Sequence, residues 1–206
     1  MTIEKNRLIE QCITYELLNT ISNARTFWNE LSIWTRAYLL SRYEKLGNEE
    51  EIFARLNKVP SVYGDMLRSV FGDRITEDYM QLLYTHISLI DHLIAAQMEG
   101  NSEAVSEYTR QLYQNADQRA QFLASVNPFW FENEWRNMLY NYLRSTIEES
   151  TTFLTEDYPR NIDIFDRLLE NAEIIGDYFS QGLYNYLSYS PEYEESLHDI
   201  QTGQNA

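Results

Sequence analysis

Residues 76–102, TEDYMQLLYTHISLIDHLIAAQMEGNS, decide the fold class of this chain. Their apolar side chains recur every three or four residues, the spacing of one face of an α-helix: Leu82, Leu83, Leu89, Ile90, Leu93 and Ile94. The stretch opens on Thr76 followed by two acids, which is typical of a helix start, because threonine caps free backbone N–H groups and acids favour that end. It closes on Gly100-Asn101-Ser102, a tight turn after which Ser102 is placed to cap another helix. We therefore predict a helix over 76–99 that turns directly into the next.

The same helical pattern continues on both sides of this stretch. The further predicted helices are, in chain order, a segment from about residue 3, then 25–46, 49–57, 62–71, 102–126, 127–154 and 157–187. At Asn23 the first segment either continues into the second or bends. Short connections place consecutive helices side by side and antiparallel. The sequence therefore predicts an all-α, up-and-down bundle of about five long helices and two short ones.

Glycine and proline are scarce, with seven and four residues in 206, which is about half of their usual share. So few turn formers exclude a β-sandwich, a barrel and the Gly-rich loops of a nucleotide-binding sheet. Three glycines fall inside predicted helices, where they indicate close contact with a neighbouring helix: Gly64, Gly176 and Gly182. Most of the others stand at predicted helix ends: Gly47, Pro60, Gly72, Gly100, Pro128 (after a capping Asn127) and Pro159.

The chain divides into one helical domain, residues 1–187, and an acidic tail, residues 188–206, which we expect to be flexible. Two weakly similar patterns occur inside the domain. Trp34-Thr35-Arg36 precedes a Phe-x-Arg-Leu at 53–56, and Ser145-Thr146 precedes a Phe-Asp-Arg-Leu at 165–168. They leave open whether a helix pair has been duplicated or whether bundle patterns simply recur.

The charge balance and the apolar runs limit the possible partners and the compartment. With 32 acidic against 16 basic residues, the chain lacks the clustered cations of a nucleic-acid binder. No run approaches the 18 apolar residues of a membrane span, and the N-terminus shows no signal-peptide core. Cys12 is the sole cysteine and cannot form an internal disulfide, so we expect a core role for it and a cytoplasmic location for the protein.

Polar residues inside the predicted helices indicate contacts between helices. Most basic residues are arginine, which suits bidentate pairs with carboxylates better than lysine does, so we expect Arg–Glu pairs between helices. Asn115 and Asp117 interrupt a helical run, and their side chains favour local or cross-helix hydrogen bonds over a helix interior. They are expected to bond to another helix, or else to line a pocket. Whether Arg36 points to a core carboxylate or to a ligand stays open.

A metal site is the sharpest chemical hypothesis. Metal sites in bundle cores use carboxylates and histidines that project inward from facing helices. The candidate ligands are His86, Tyr142, Glu149 and Asp166, and the ions to consider are Fe, Mn and Zn. Tyr142 and Glu149 are seven residues apart and share a helix face, while Asp166 begins a stripe of acids on the last helix. The competing interpretation makes His86 a hydrogen-bonded core residue and the acids a solvated face.

Aromatic residues are abundant, with sixteen tyrosines and four tryptophans. The tryptophans fall at helix starts or on apolar stripes, which predicts a core role for Trp28, Trp34, Trp130 and Trp135. Five tyrosines close to the C-terminus exceed what one helix face can bury, which indicates a dimer or partner surface: Tyr178, Tyr184, Tyr186, Tyr189 and Tyr193.

Four stretches, residues 55–75, 82–104, 113–143 and 161–183, resemble one family. Its most specific pieces are Asn115-Ala116-Asp117 with Phe122-Leu123, and Asn127-Pro128 with Trp130 and Trp135. The family is a set of small, uncharacterised, all-helical proteins, mostly from spore-forming Gram-positive bacteria, and the resemblance covers about residues 25–187. Some members carry the label acetylglutamate kinase, which does not suit this chain, because an amino-acid kinase needs Gly-rich phosphate loops on an α/β sheet.

The resemblance also implies three histidine positions. In this chain Leu31 and Tyr142 occupy two of them, and His86 occupies the third. If these histidines form a metal site in the family, this chain has lost two of its ligands.

Two functions from different classes follow as expectations. The first is a non-enzymatic bundle that acts by protein association or homo-oligomerisation through an aromatic face. The alternative is a bundle that binds a metal or a small molecule at a partly degenerate His/carboxylate core site. An enzymatic role is not favoured, because no serine or cysteine nucleophile stands in a recognisable motif, although acid–base work by His86 stays open.

Overall fold

The computed structural model describes residues 15–188, apart from the side chains at 16 and 17. Its helices are α1 (Tyr15–Tyr43), α2 (Glu49–Leu56), α3 (Val59–Met98), α4 (Ser102–Val126), α5 (Glu132–Leu154) and α6 (Tyr158–Ser188). A kink at Gly72 divides α3 into a short and a long part. Over the described range, the prediction of an all-α bundle with five long and two short helices is confirmed.

The long helices pack in chain order, and the last one closes the bundle against the first. The long part of α3 lies against α4, α4 against α5, and α5 against α6, while α6 makes its most extensive contact with α1. Asn23 lies within the continuous α1. The segment before residue 15, Cys12, and the tail after residue 188 with Tyr189, Tyr193 and His198 lie outside the described residues. No helix between residues 15 and 188 is long and apolar enough to cross a membrane.

The kink in α3 moves the predicted start of its long part. Gly72 has φ +79° and ψ 176°, a backbone conformation open to glycine because it lacks a Cβ. The helix resumes directly after it. The Thr76 hydroxyl donates a hydrogen bond of 2.9 Å to the carbonyl oxygen of Gly72, as a residue within the helix does. The prediction that Thr76 caps this helix is therefore wrong, because the helix is interrupted at Gly72, four residues earlier, and has already resumed at Thr76.

The start of α5 also differs from the sequence prediction. Asn127 ends α4 in an extended conformation, and its side-chain oxygen accepts a hydrogen bond of 2.9 Å from the backbone N–H of Phe129. Its amide donates to the carbonyl oxygen of Gly182 at 3.0 Å. Asn127 therefore caps a single turn, closed by a hydrogen bond of 3.0 Å from the Trp130 N–H to the Asn127 carbonyl oxygen, and is tied to α6. The turn does not continue as a helix, so the prediction of a helix start at Asn127-Pro128 is wrong, and the helix begins at Glu132.

Two further end signals fall close to their predicted places. Asn101, one residue before the predicted Ser102, caps α4, because its side-chain oxygen accepts from the backbone N–H of Ala104 at 3.1 Å. Gly100 ends α3 with φ +69°, as predicted. The end of α1 differs from the prediction, because the helix stops at Tyr43. Lys45, with φ +52°, takes the left-handed conformation that closes the helix, and Gly47, with φ +77°, follows in the turn.

Lys45→Gly is expected to raise the free energy of unfolding by about 0.5–1 kcal/mol, because a residue with a Cβ is strained in the left-handed region and glycine is not. Lys45 is exposed, so the change removes no buried contact. Urea unfolding of Lys45→Gly and of Lys45→Ala, which keeps the Cβ, measures the difference. Equal stabilities of the two variants would contradict the expectation.

The three glycines inside helices do lie at close contacts, as predicted. A Cβ at Gly176 would come within 2.8 Å of the backbone nitrogen of Arg25 in α1. A Cβ at Gly182 would overlap the indole ring of Trp130. A Cβ at Gly64 would meet chiefly the flexible side chain of Met80, at 2.5 Å from the sulfur, and would lie 3.3 Å from Cγ2 of Thr76.

Candidate functional site

A buried arginine occupies the core of the bundle. Arg119 lies on the face of α4 that also carries Leu112, Ala116 and Leu123, so the helix directs it inward. Its side chain is 2% exposed. The Nε and Nη2 atoms have no hydrogen-bond partner among the described residues, and no described carboxylate forms an ion pair with Arg119. Within the part of the chain that the structure describes, a permanently charged group therefore stands in the core without a counter-charge.

Trp28 contacts this guanidinium, and Tyr63 and Tyr142 lie close enough for its charge to act on them. The central carbon of the guanidinium lies 5.5 Å from the ring centroid of Trp28 in α1, a cation–π contact. The Trp28 ring packs edge-on against Tyr142 of α5 with centroids 5.7 Å apart. Tyr63 and Tyr79 of α3 pack against each other at 5.3 Å. The site is thus built from α1, α3, α4 and α5, and its walls are rings held by tight packing.

Two further polar atoms near Arg119, Trp28 Nε1 and Asn115 Oδ1, have no partner among the described residues. The hydroxyls of Tyr63 and Tyr79 interact with each other, which adds to the rise in the pKa of Tyr63. Each buried polar group without a hydrogen bond costs about 1–3 kcal/mol. Unpartnered atoms also occur elsewhere in the core, on Trp130, Trp135 and Glu149, but Arg119 is the charged group that has two of them.

The charge of Arg119 also acts on the titratable neighbours. Burial, together with the positive charge of Arg119, lowers the pKa of His86 to about 3, so His86 is neutral near neutral pH. Burial raises the pKa of Tyr63 well above its usual value, with Tyr79 adding to the rise and Arg119 opposing it. Burial likewise raises the pKa of Tyr142. These groups leave the positive charge of Arg119 uncompensated.

Glu149 forms a second polar centre, next to Tyr142. Its Oε1 accepts a hydrogen bond from Arg36 of α1, whose guanidinium also lies 4.4 Å from the ring centroid of Phe165. Arg36 therefore points to a core carboxylate. Burial raises the pKa of Glu149 to about 7, although Arg36 acts to lower it. The Oε2 atom of Glu149 has no partner among the described residues.

The four predicted metal ligands are only partly brought together. His86, Tyr142 and Glu149 are buried, whereas Asp166 is exposed on α6, as are the other acids of its stripe, Glu170, Glu173 and Asp177. The Tyr142 hydroxyl shares a hydrogen bond of 2.9 Å with Ser32, Glu149 pairs with Arg36, and Arg119 places a positive charge beside His86. Across residues 15–188, no three His, Cys, Asp or Glu side chains form a group that could hold a metal ion. The metal hypothesis stays a prediction, and these donors do not provide a complete ligand set for it.

The expected contacts between helices are present. The Asn115 amide donates to the carbonyl oxygen of Leu82 in α3 at 2.9 Å, and Asp117 accepts from Arg136 of α5 at 2.8 Å. Arginine–carboxylate pairs also join other helices: Arg25–Asp177, Arg36–Glu149, Arg42–Asp91, Arg55–Glu30 and Arg167–Glu148. The arginines of this chain do link helices, and Arg119 is unusual among them.

The stability of the bundle should depend on pH through two buried groups with opposite effects. Because the folded pKa of Glu149 is raised from 4.5 to about 7, its contribution is lost as the pH rises through that window. Because the folded pKa of His86 is lowered from 6.5 to about 3, its contribution is lost as the pH falls through that window. Between pH 4.5 and 6.5 the two effects oppose each other.

Glu149→Gln is expected to remove one of these two effects. The variant should then gain stability between pH 4.5 and 6.5, by at most about 1.4 kcal/mol per pH unit, while the wild-type chain changes less. Urea unfolding at both pH values measures the slopes. A wild-type slope as steep as that of the variant would contradict the opposition of the two groups.

Two of the five tyrosines that predicted an association surface, Tyr178 and Tyr186, pack against other residues of the bundle. The Tyr178 hydroxyl accepts a hydrogen bond of 2.8 Å from the backbone N–H of Phe131, and the Tyr186 ring lies 5.1 Å from that of Phe71. Tyr184 is 38% exposed. Of the tryptophans, Trp28, Trp130 and Trp135 are buried in the core, as predicted, and Trp34 is half-buried against it.

No family model matches the sequence, and no curated protein or solved structure matches it either. The resemblance to the helical proteins of spore-forming bacteria therefore stays a prediction.

Proposed function

We propose that this protein is a non-catalytic binding protein that takes a small ligand into its core at Arg119. The observation that supports this most directly is the buried guanidinium with its unpartnered Nε and Nη2 atoms. Arginine cannot lose its proton in a protein, and a buried charge without a partner costs several kcal/mol. A bound molecule that pairs with this guanidinium would remove that cost, so the buried arginine would favour the ligand-bound form of the protein.

The surroundings of Arg119 have the composition of a ligand site. Binding sites for small molecules combine mostly apolar, aromatic walls with a few polar groups that orient the ligand. Trp28, Tyr63, Tyr79 and Tyr142 supply the rings, and the indole N–H of Trp28 supplies a hydrogen-bond donor without a partner among the described residues. Because these rings and Arg119 are buried, a ligand reaches them only through a local opening of the bundle.

A thermal-unfolding screen tests the proposed function. Wild-type protein, Arg119→Met and Arg110→Met are heated with a panel of small anionic and neutral compounds. Arg110 is the matched control, because it lies on the same helix but is exposed and pairs with Glu107. At least one compound should raise the unfolding temperature of the wild type and of Arg110→Met but not of Arg119→Met. A panel without effect, or an equal effect on all three proteins, would contradict the proposal.

Association with another protein is the second role, and it is supported less. Its sequence signal was the tyrosine cluster, of which Tyr178 and Tyr186 pack within the bundle. Light scattering of the full chain at high concentration tests it directly. A mass of 24.5 kDa at every concentration would count against self-association.

A further inference from the structure

We infer that the ligand of the Arg119 site is a small monocarboxylate whose two oxygens bind the Nε and Nη2 atoms of Arg119 side by side. This inference rests on the proposed function and deepens it, since it assigns a chemical class to the ligand. It follows from the shape of the free edge of the guanidinium, from the charge available in the core, and from the walls of the site.

The free edge of Arg119 has the geometry of a carboxylate receptor. Nε and Nη2 are neighbours on one side of the planar guanidinium, and their N–H bonds point in parallel. Both atoms are buried and neither has a partner among the described residues. A carboxylate matches this fork with two charge-assisted hydrogen bonds, whereas a neutral amide offers one uncharged acceptor.

The charge around the site favours one negative charge over two. Arg119 is one cation, and Arg36, which reaches the buried Glu149, is already paired with it. A monoanion would neutralise Arg119. A dianion such as phosphate would leave an uncompensated negative charge in a medium of low dielectric constant, with a cost of several kcal/mol for the desolvated ion.

The walls limit the rest of the ligand to a small, mainly apolar body. Trp28 and Tyr142 form one packed pair of rings and Tyr63 and Tyr79 another, and all four side chains are nearly or fully buried. The Trp28 N–H can donate to a carboxylate oxygen in addition to Arg119. Because Arg119 is only 2% exposed, binding requires a local opening of the bundle, and association should be slower than a diffusional encounter.

Isothermal titration of the full-length protein tests the inference with defined probes. The probes are sodium acetate, sodium benzoate, acetamide and sodium phosphate, at constant ionic strength set with sodium chloride. Acetamide matches acetate in size but carries no charge, and phosphate carries more charge than a carboxylate. We expect acetate or benzoate to bind the wild-type protein more tightly than either of the other two probes.

Substitutions at Arg119 should remove this preference without unfolding the protein. Arg119→Met should weaken carboxylate binding about tenfold to 100-fold, because it removes the charge-assisted hydrogen bonds to the carboxylate. Arg119→Lys keeps the charge without the planar fork and should lose most of the preference for carboxylate as well. Arg110→Met should bind as the wild type does. Circular dichroism of each variant confirms that it is folded.

The possible outcomes separate this inference from the proposed function. Binding of acetamide or phosphate that depends on Arg119, without binding of carboxylates, would overturn the inference and leave the proposed function standing. Carboxylate binding that persists in Arg119→Met would overturn the inference, because the ligand would then lie elsewhere. Should none of the probes bind while a compound of the thermal screen that is not a carboxylate does, the inference fails alone. When neither experiment finds a ligand, both fail.

Discussion

Arg119→Met is expected to be more stable than the wild-type protein when no ligand is added, with a free energy of unfolding about 1–4 kcal/mol larger. The wild-type chain must bury a guanidinium whose Nε and Nη2 atoms find no partner among the described residues. Methionine is flexible and apolar, so it can fill most of the space of the arginine stem without a desolvated charge. Urea unfolding of both proteins, monitored by circular dichroism, measures the difference.

Two controls make this expectation specific. Arg110→Met removes an exposed arginine of the same helix, and its effect should lie within about 0.5 kcal/mol of zero. Arg119→Lys keeps a buried charge and should not be stabilised. A loss of about 3–5 kcal/mol in Arg119→Met would be the result of breaking a satisfied buried pair, and it would contradict both the unpartnered state of Arg119 and the binding function built on it.

The same substitution is therefore expected to raise stability and to abolish binding. Binding sites often hold groups that the empty protein stabilises poorly, because the ligand completes their interactions. A residue that served only the fold would show the opposite pattern, with stability and binding lost together. The sign of the stability change thus separates a ligand-binding role of Arg119 from a structural one.

The architecture was predictable because it depends on local signals. The three- to four-residue spacing of apolar side chains gave the number of helices, and Gly72 and Gly100 marked two of their boundaries. The errors at Thr76 and Asn127 have different causes. At Thr76 the helix already resumes after Gly72, so a local break that the glycine itself signals places the start four residues earlier. The amide of Asn127 bonds to Gly182 of α6, and a contact between such distant segments leaves no trace in a local pattern.

The site was predictable only in part. His86, Tyr142 and Glu149 were identified as polar core residues, and they are buried. The expectation that Asp166 projects into the core as a metal ligand is wrong, since Asp166 is exposed. A stripe of acids on a helix has the same spacing whether it faces the core or solvent. Arg119 was overlooked, since arginine is normally a surface residue. A signal did exist: Arg119 follows Ala116 by three residues and Leu112 by seven, so it continues their apolar stripe.

Gly182→Ala is expected to lower the free energy of unfolding by about 3 kcal/mol or more, at the upper end of what overpacking costs. The added methyl group would overlap the ring of Trp130, which is 2% exposed and cannot move freely. That ring is held by Phe179 at 5.0 Å, Trp135 at 5.8 Å and Phe71 at 5.9 Å between centroids. Displacing it would disturb the aromatic packing between α6, α5 and α3.

Gly64→Ala is the matched control, because it makes the same change within a helix. Its methyl group meets chiefly the Met80 side chain, which can rotate away, and alanine favours a helix over glycine by about 1 kcal/mol. Gly64→Ala should therefore stay within about 1 kcal/mol of the wild type. In the Gly182→Ala background, Trp130→Leu should cost less than it does alone, since the smaller side chain makes room for the methyl group, and a double-mutant cycle measures this coupling. Additive effects of the two substitutions would show that the glycine at 182 is not retained for the Trp130 ring.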